Sequence, residues 1–225
     1  MSGAADVTLF GHWICPFSVR VEWALAQRDI AYDVIEVPPS AVRPRDFVVP
    51  EEFVRHSPRL EVPMVRVGDE HLADSIPILW WLEREFPERS LVPPGHVDLV
   101  RERVEWIDRH VYRPMVGVYY GTEPDRIAES SRALAEALAG VASWLDDGGW
   151  CVGTGPSLCE ALMVPLYVRL DGLRGLGFTH DVPAAVLDHL ARCTTTVGWR
   201  AAAWSPAQVD EFVGRFEKYR RLRGA

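Results

Sequence analysis

One cysteine, Cys15, stands where an apolar strand gives way to a helix. Residues 10–18 read FGHWICPFS, which places Pro16 at the first helical position. Proline suits that position because its φ is already helical and its missing N–H has no partner to lose. A thiol at a helix N-terminus faces the positive end of the helix dipole and N–H groups that the helix itself does not use. These groups favour thiolate over thiol, so the sequence predicts that Cys15 is a nucleophile for sulfur chemistry.

A second polar pair, Asp74 and Ser75, stands directly before an apolar helical pattern that begins at Ile76. Short side chains with oxygen atoms cap the first turn of a helix at this position. A helix N-terminus with a serine hydroxyl also binds carboxylates. The pair is therefore a candidate both for capping and for holding the charged end of a ligand.

The remaining cysteines are Cys151, Cys159 and Cys193, and they form no CxxC pair and no His/Cys cluster at zinc spacing. We expect them to be inert, buried small hydrophobes, and we predict no metal site. The N-terminus shows no basic region followed by an apolar segment, and no apolar run reaches about 18 residues. A cytoplasmic protein with reduced thiols and no membrane association is the expectation.

Length, composition and net charge limit the number of domains and the kinds of molecule that the chain could bind. The chain has 225 residues, of which 48% are hydrophobic, and carries a net charge of −8. That length and apolar content support one large domain or two small ones with a substantial core. The negative charge argues against general binding to nucleic acids or to anionic membranes.

Hydrophobic periodicity divides the chain into two parts. The first part alternates strands and helices: a strand at 7–10, a helix to about residue 27, a strand at 32–37, a short helix at 51–56, strands at 64–67 and 70–73, and a helix after residue 75. This βαβ unit followed by a β-hairpin and a helix resembles the thioredoxin fold.

The second part is helical throughout, and Ser157 and Glu160 form a capping box at the start of one of its helices. We therefore predict a thioredoxin-like α/β domain at 1–86, a linker rich in proline and charge at 87–97, and an all-α domain at 98–225.

Together these motifs identify a family. The ordered set is CPFS at 15–18, Val62-Pro63 before the third strand, Asp74-Ser75, WWLEREFP at 80–87 and the SLCE box at 157–160. The chain resembles a glutathione S-transferase of the cysteine type, similar to the omega class and its bacterial relatives. The resemblance implies a thiol-binding α/β domain followed by an all-helical domain.

The resemblance also implies roles for individual residues. Pro63 is expected to be a cis-proline whose preceding residue, Val62, pairs through its backbone with the cysteinyl unit of a bound peptide thiol. Asp74 and Ser75 are expected to hold the γ-glutamyl end. Cys15 is then the catalytic residue, and the neighbouring Phe17 is expected to contact the bound thiol.

Glutathione is the cosubstrate that the resemblance implies, but one position departs from the family pattern. Val49 stands where omega-like members carry a lysine for the glycyl carboxylate. Arginines that could replace it are Arg43, Arg45, Arg55 and Arg59. Another low-molecular-weight thiol therefore remains open.

Ser18 bears on the reaction type, because a second cysteine there would allow an intramolecular disulfide. Serine favours a one-cysteine cycle, in which Cys15 forms a mixed disulfide that a second thiol molecule releases. Ser18 is itself a candidate activating hydroxyl. A pocket for a small apolar electrophile or disulfide is expected from His12, Trp13, Trp106, His110 and Tyr119, and the resemblance implies a homodimer.

Several functions stay open from the sequence. Thiol transfer or thiol–disulfide exchange requires Cys15 as nucleophile, whereas glutathione-dependent conjugation or cis–trans isomerisation requires only a stabilised ligand thiolate. A non-catalytic binding module on the same fold is the alternative of another class.

Overall fold

The computed structural model describes residues 7–145 and 149–223. Contacts divide them into two compact units. The N-terminal unit comprises the chain up to Leu91 together with Val197–Ala202, and the helical unit comprises Val92–Thr196 and the chain from Ala203 onward. No local pattern in the sequence indicates that residues 197–202 pack with the N-terminal unit.

The N-terminal unit is a four-stranded mixed sheet with helices. Its elements are β1 Val7–Gly11, α1 Pro16–Gln27, β2 Tyr32–Glu36, α2 Glu51–His56, β3 Met64–Val67, β4 Glu70–Ala73 and α3 Ser75–Glu85. The strand order is β2-β1-β3-β4, with β1 and β2 parallel and the other two pairs antiparallel. The predicted thioredoxin-like topology is confirmed, and β2 ends one residue earlier than predicted.

The apolar sequence of β1 suits a strand in the interior of the sheet. All five of its residues are buried, as expected for an apolar strand that has a neighbour on both sides. The register opposes Phe10 to Met64 on β3. These two side chains join Phe53, Val62 and Cys15 in one buried apolar cluster. The central strand therefore brings Cys15 into the core of the unit.

The helical unit contains the remaining elements apart from α10. These are α4 Val97–Ile107, α5 Arg113–Tyr120, α6 Pro124–Ala142, α7 Leu158–Tyr167, α8 Leu170–Gly175, α9 Ala184–Cys193 and α11 Pro206–Arg223, while α10 Trp199–Ala202 packs with the N-terminal unit. A π-helical turn, Asp108–Tyr112, connects α4 to α5 directly before Pro114. We attribute this turn to Pro114, which has no N–H to continue a regular helix.

The predicted capping box opens α7. Ser157 is the N-cap, its hydroxyl accepts from the Cys159 N–H at 3.2 Å, and Glu160 accepts from the Ser157 N–H at 2.6 Å. All ten residues of α7 are buried, so this helix forms the centre of the unit. Within the described residues, no helix is long and apolar enough to cross a membrane.

Candidate functional site

Cys15 occupies the predicted position at the start of α1. It is the N-cap of this helix, with Pro16 as the first helical residue. Its backbone N–H donates to the His12 carbonyl at 2.9 Å, which fixes the tight turn between β1 and α1. The residue is 4% exposed. The turn therefore holds the thiol at the positive end of the α1 dipole, in largely apolar surroundings.

The Val62–Pro63 turn faces this cysteine. The bond between the two residues is cis, as the family resemblance implied. The Cys15 Sγ lies 3.7 Å from the Val62 carbonyl oxygen, so the thiol donates a hydrogen bond to it. The Pro63 carbonyl in turn accepts from the Asp74 N–H at 3.3 Å. The turn thus links the start of α1 to the start of α3.

The N-terminus of α3 combines a strained residue with an exposed carboxylate. Asp74 has φ 70° and ψ 130°, a conformation that non-glycine residues rarely adopt. Its side chain forms no capping hydrogen bond within the described chain and instead pairs with Arg59. The capping role proposed for the Asp74 carboxylate is therefore wrong, and this carboxylate is directed to the surface.

Ser75 follows Asp74 and contacts a buried cation. Its hydroxyl accepts from the Arg20 Nη1 at 3.1 Å, and Arg20 is 1% exposed. The guanidinium also lies over the Phe17 ring, 4.8 Å from its centroid. Arg20 was not singled out by the sequence analysis, although it lies one helical turn beyond Pro16. The α3 dipole and this guanidinium together create a positive potential beside Ser75.

Ser18 lies against the sheet. Its side chain is 1% exposed, and a Cβ placed on Gly11 would lie 3.1 Å from the Ser18 hydroxyl. Within the described residues that hydroxyl has no hydrogen-bond partner. The close approach explains why β1 ends in glycine, and it leaves the Ser18 hydroxyl enclosed.

His12 and Trp13 precede Cys15 in the turn. The Nδ1 of His12 accepts from the Ile14 N–H at 3.1 Å, so a neutral ring carries its proton on Nε2. The two rings lie 5.5 Å apart between centroids. His12 is 8% exposed, and its backbone carbonyl and ring both support the turn. These contacts give His12 a positioning role for Cys15.

The pocket residues predicted in the helical unit divide between two aromatic groups. Trp106 packs with His110 and with Trp144, each at 4.8 Å between ring centroids. Tyr119 packs against Phe216 at 4.6 Å and is 2% exposed. Trp106 is half-buried and His110 is exposed, whereas Tyr119 lies in the core of its unit.

The structure shows the surroundings of Val49, which stands where omega-like members of the family carry a lysine. It is half-buried and packs against the apolar cluster that contains Cys15 and Val62. This position therefore presents an apolar surface. Among the arginines that could replace the family's lysine, Arg59 pairs with Asp74 at the start of α3.

A group of side chains in the helical unit was not anticipated. Cys151, Glu160 and His189 converge in the core although they are far apart in sequence. Burial opposes ionisation of Glu160, but hydrogen bonds from His189, Ser157 and the Cys151 N–H hold the pKa of its carboxyl below the ordinary value. Burial, followed by the Glu160 charge, raises the pKa of the Cys151 thiol. The sequence signal that could have found this group is His189 and Cys193, four residues apart on one helix.

Comparison with known proteins identifies the family. The model for the glutathione S-transferase N-terminal domain matches residues 14–85. A wheat glutathione S-transferase is 33% identical over 174 residues, covering 72% of this chain and 76% of the wheat protein. A rice protein named probable glutathione S-transferase DHAR2, chloroplastic, is 27% identical over 184 residues, covering 81% of this chain and 61% of its own length.

A bacterial enzyme and solved structures extend the similarity. Maleylacetoacetate isomerase of Pseudomonas aeruginosa is 25% identical over 194 residues, covering 79% of this chain and 91% of that enzyme. Among solved structures, rice GST1 in complex with glutathione superposes with a TM-score of 0.82 at 20% identity over the full length of both chains. This match confirms the predicted fold class. By its sequence similarity to the wheat enzyme and its N-terminal domain, the chain belongs to the glutathione S-transferase family.

Proposed function

We propose that this protein is a glutathione S-transferase of the cysteine type that catalyses thiol transfer through Cys15. The observation that carries the proposal is the position of Cys15, at the N-cap of α1 with its Sγ 3.7 Å from the Val62 carbonyl oxygen. A helix N-terminus favours the thiolate form of a cysteine, and a cysteine that only packs in the core does not require that effect. Within the family, we propose that the chain is similar to the omega class and its bacterial relatives.

The proposed cycle uses one cysteine and balances as two exchanges. The Cys15 thiolate attacks a mixed disulfide between a substrate and glutathione, forms a new disulfide with the glutathionyl sulfur, and releases the substrate thiolate. A second glutathione thiolate then attacks that disulfide, which regenerates the Cys15 thiolate and yields glutathione disulfide. Ser18 is enclosed against Gly11, so we assign it to packing rather than to proton transfer.

We place the cosubstrate along Phe17, Val62, Pro63, Asp74 and Ser75. The γ-glutamyl carboxylate would bind the α3 N-terminus and the Ser75 hydroxyl, where the buried Arg20 adds positive potential. The Asp74 carboxylate, which is half exposed, would accept from the ammonium group. The glutathione-bound rice structure supports glutathione as this cosubstrate.

Ligand binding would also activate the cysteine. In the structure the Cys15 thiol donates to the Val62 carbonyl, which stabilises the protonated form. A bound peptide thiol would direct its cysteinyl N–H to the same carbonyl and compete for it. Since this competition would weaken the hydrogen bond that stabilises the thiol while the helix dipole remains, binding would favour the thiolate.

A second reaction type is supported by one of the relatives. The Pseudomonas aeruginosa enzyme is named a maleylacetoacetate isomerase, and such chemistry proceeds by reversible addition of a thiol to an activated double bond. Conjugation of a small electrophile or cis–trans isomerisation would use the ligand thiolate itself as the nucleophile. Cys15 would then stabilise the ligand without forming a disulfide. We propose that the second substrate contacts some of the residues predicted for its pocket, which are His12, Trp13, Trp106, His110 and Tyr119.

Incubation with glutathione disulfide, followed by intact mass measurement and peptide mapping, tests the proposal. We expect a glutathionyl adduct on Cys15, its loss in Cys15→Ser, and its retention in Cys159→Ser, which replaces a buried cysteine of the other unit. No adduct on Cys15, together with no thermal shift from glutathione, mycothiol or other small thiols, would favour a non-catalytic binding module. Turnover of an electrophile by Cys15→Ala at the wild-type rate would favour conjugation or isomerisation.

We further propose a cytoplasmic homodimer, in keeping with the family resemblance. Sedimentation equilibrium of the purified chain measures its mass in solution directly. A monomer mass at micromolar concentration would contradict this part of the proposal.

A further inference from the structure

The helical unit holds a buried group of metal-binding side chains that thiol transfer does not use. The Cys151 Sγ, a Glu160 carboxylate oxygen and a His189 ring nitrogen all lie within 4.8 Å of one another. The three residues are 0%, 0% and 1% exposed. We propose that these three side chains, completed by Cys193, bind one zinc ion.

The four residues come from three separate parts of the unit. Cys151 lies in the loop between α6 and α7, and Glu160 is in the first turn of α7. His189 and Cys193 are four residues apart on α9, so they project from the same face of that helix. A metal bound here would join a loop and two helices, which is the usual role of a structural zinc site.

The spacing of the ligand atoms agrees with zinc geometry. The His189 Nε2 lies 3.7 Å from the Cys193 Sγ and 3.0 Å from the Glu160 Oε1. In tetrahedral zinc sites, Zn–S bonds of about 2.3 Å and Zn–N or Zn–O bonds of about 2.0 Å separate neighbouring ligand atoms by roughly 3.3–3.8 Å, with the largest value between two sulfurs. The contacts of the His189 Nε2 are thus close to the spacing of zinc ligands. The Cys151 Sγ, which lies within 4.8 Å of the Glu160 and His189 ligand atoms, and the Cys193 Sγ would move toward the ion as it binds.

Tyr167 would hold the histidine in the orientation that the metal needs. Its hydroxyl lies 2.7 Å from the His189 Nδ1, on the opposite side of the ring from Glu160 and Cys193. A zinc-bound histidine regularly directs its second ring nitrogen to an oxygen atom, which fixes the ring and its tautomer. With Nε2 on the metal, the Nδ1–H would donate to the Tyr167 oxygen.

The donor types select the metal. Two sulfurs, one imidazole nitrogen and one carboxylate oxygen suit zinc, whereas magnesium and calcium prefer oxygen ligands alone. Each thiol would lose its proton to solvent as its bond to zinc forms. Glu160 would keep its other oxygen for the capping box, because Oε2 accepts from the Ser157 N–H at 2.6 Å and the Ser157 hydroxyl at 2.7 Å. Burial of the whole group makes the site closed, as structural zinc sites are.

Metal content of the full chain tests the proposal. The protein is produced in zinc-supplemented medium, passed through a desalting column and measured by plasma mass spectrometry. We expect about one zinc ion per chain in the wild type. Cys151→Ser and Cys193→Ser, which keep the approximate side-chain size but remove the sulfur ligand, should each lower the zinc content by about tenfold. A chelator added during thermal unfolding should lower the midpoint of the wild type by roughly 5–10 °C and leave Cys193→Ser unchanged.

Two matched variants separate this site from other thiols. Cys159→Ser removes a buried thiol of the same unit that is not a proposed ligand, and Cys15→Ser removes the proposed catalytic thiol. Both should retain about one zinc ion per chain. Substitution of cobalt should give the visible absorption of tetrahedral thiolate coordination in these two variants, and Cys193→Ser should lose it. Wild-type protein without stoichiometric zinc, or equal zinc loss in Cys159→Ser and Cys193→Ser, would overturn the proposal.

Discussion

Ser75 lies between a buried cation and the proposed cosubstrate. Its hydroxyl accepts from Arg20 and remains able to donate to a carboxylate. Ser75→Ala removes that donor and also the acceptor of a guanidinium inside the protein. Because hydrogen bonds to charged groups contribute about 1.5–3 kcal/mol, we predict that KM for glutathione rises about tenfold or more. The value of kcat should change much less, since the proposed binding mode places Ser75 at the end of the ligand remote from the sulfur.

Steady-state kinetics with a glutathionylated peptide measure both constants. Ser143→Ala is the matched control, because the exposed Ser143 hydroxyl donates to the Gly140 carbonyl of the preceding helix and, among the described residues, to no other atom. An unchanged KM in Ser75→Ala, with a folded protein, would contradict the proposed position of the γ-glutamyl group.

Glu22 makes the stability of the N-terminal unit depend on pH. Burial raises the pKa of its carboxyl from 4.5 to about 7, against a hydrogen bond from Tyr32 that lowers it, and the Glu36 charge raises it further. Below the lower value the group is protonated in both the folded and the unfolded state. As pH rises between the two values, the unfolded chain ionises while the folded chain keeps its proton, so the free energy of unfolding falls.

Glu22→Gln should remove that loss. The amide oxygen can still accept from Tyr32, so we predict that the variant is more stable than the wild type by about 1–3 kcal/mol at about pH 8 and nearly equal to it at about pH 4.5. Urea unfolding at both values measures the difference. Glu36→Gln, at an exposed position, should show a smaller effect of the same sign. A gain that did not vary with pH would show that Glu22 ionisation is not its cause.

At the scale of elements, two serine caps offer a direct comparison. Ser157 opens α7 inside the core, whereas Ser205 forms the corresponding contacts with Gln208 at the exposed start of α11. Loss of a cap costs about 1 kcal/mol, and a buried partner left unsatisfied adds about 1–3 kcal/mol. We predict that Ser157→Ala lowers the free energy of unfolding by about 2–4 kcal/mol.

Ser205→Ala should lower it by about 1 kcal/mol or less. Chemical denaturation followed by circular dichroism checks both values. Equal losses in the two variants would contradict the role that we assign to the buried partners of Ser157, which include the Glu160 carboxylate.

Local signals made the elements of the N-terminal unit predictable. Strands β3 and β4 and helix α2 begin and end at the predicted residues, because proline and glycine punctuate that part of the sequence. The position of Cys15 also followed from a local pattern, whereas the cis bond at Pro63 was implied by the family resemblance. Contacts that join distant segments were missed, because no local pattern encodes them.

In the candidate site, too, the contacts between distant segments could not be predicted from local patterns. The pairing of Arg59 with Asp74 depends on how two loops meet, and the Arg20–Ser75 contact depends on how α1 lies beside α3. The convergence of Cys151 with His189 depends on the packing of α9 near α7. Periodicity specifies which face of a helix is buried, but it does not specify the residues that this face will contact.

At the scale of the whole molecule, the chain contributes to its first unit twice. It leaves that unit after Leu91 and returns through Val197–Ala202 before entering the helical unit again. The return is fixed on α1, where the Gly198 N–H donates to the Gln27 side chain at 2.9 Å. The N-terminal unit is therefore completed by residues from near the other end of the sequence.

The close approach of Gly198 to Trp23 tests how much this return segment contributes. A Cβ added to Gly198 would lie 2.7 Å from the Trp23 carbonyl oxygen and 2.8 Å from its ring, closer than packed atoms allow. Trp23 is fully buried, so neither group can move away easily. We predict that Gly198→Ala lowers the free energy of unfolding by about 1–3 kcal/mol, because overpacking displaces the segment from α1.

Gly214→Ala is the matched control, because a Cβ at that position in α11 meets no atom within 4 Å. Alanine favours the helix over glycine by about 0.5–1 kcal/mol, so this variant should be as stable as the wild type or more stable. Urea unfolding followed by circular dichroism measures both changes. If Gly198→Ala unfolded at the wild-type midpoint, the return segment would not be packed on α1, and residues 7–91 would form the first unit without it.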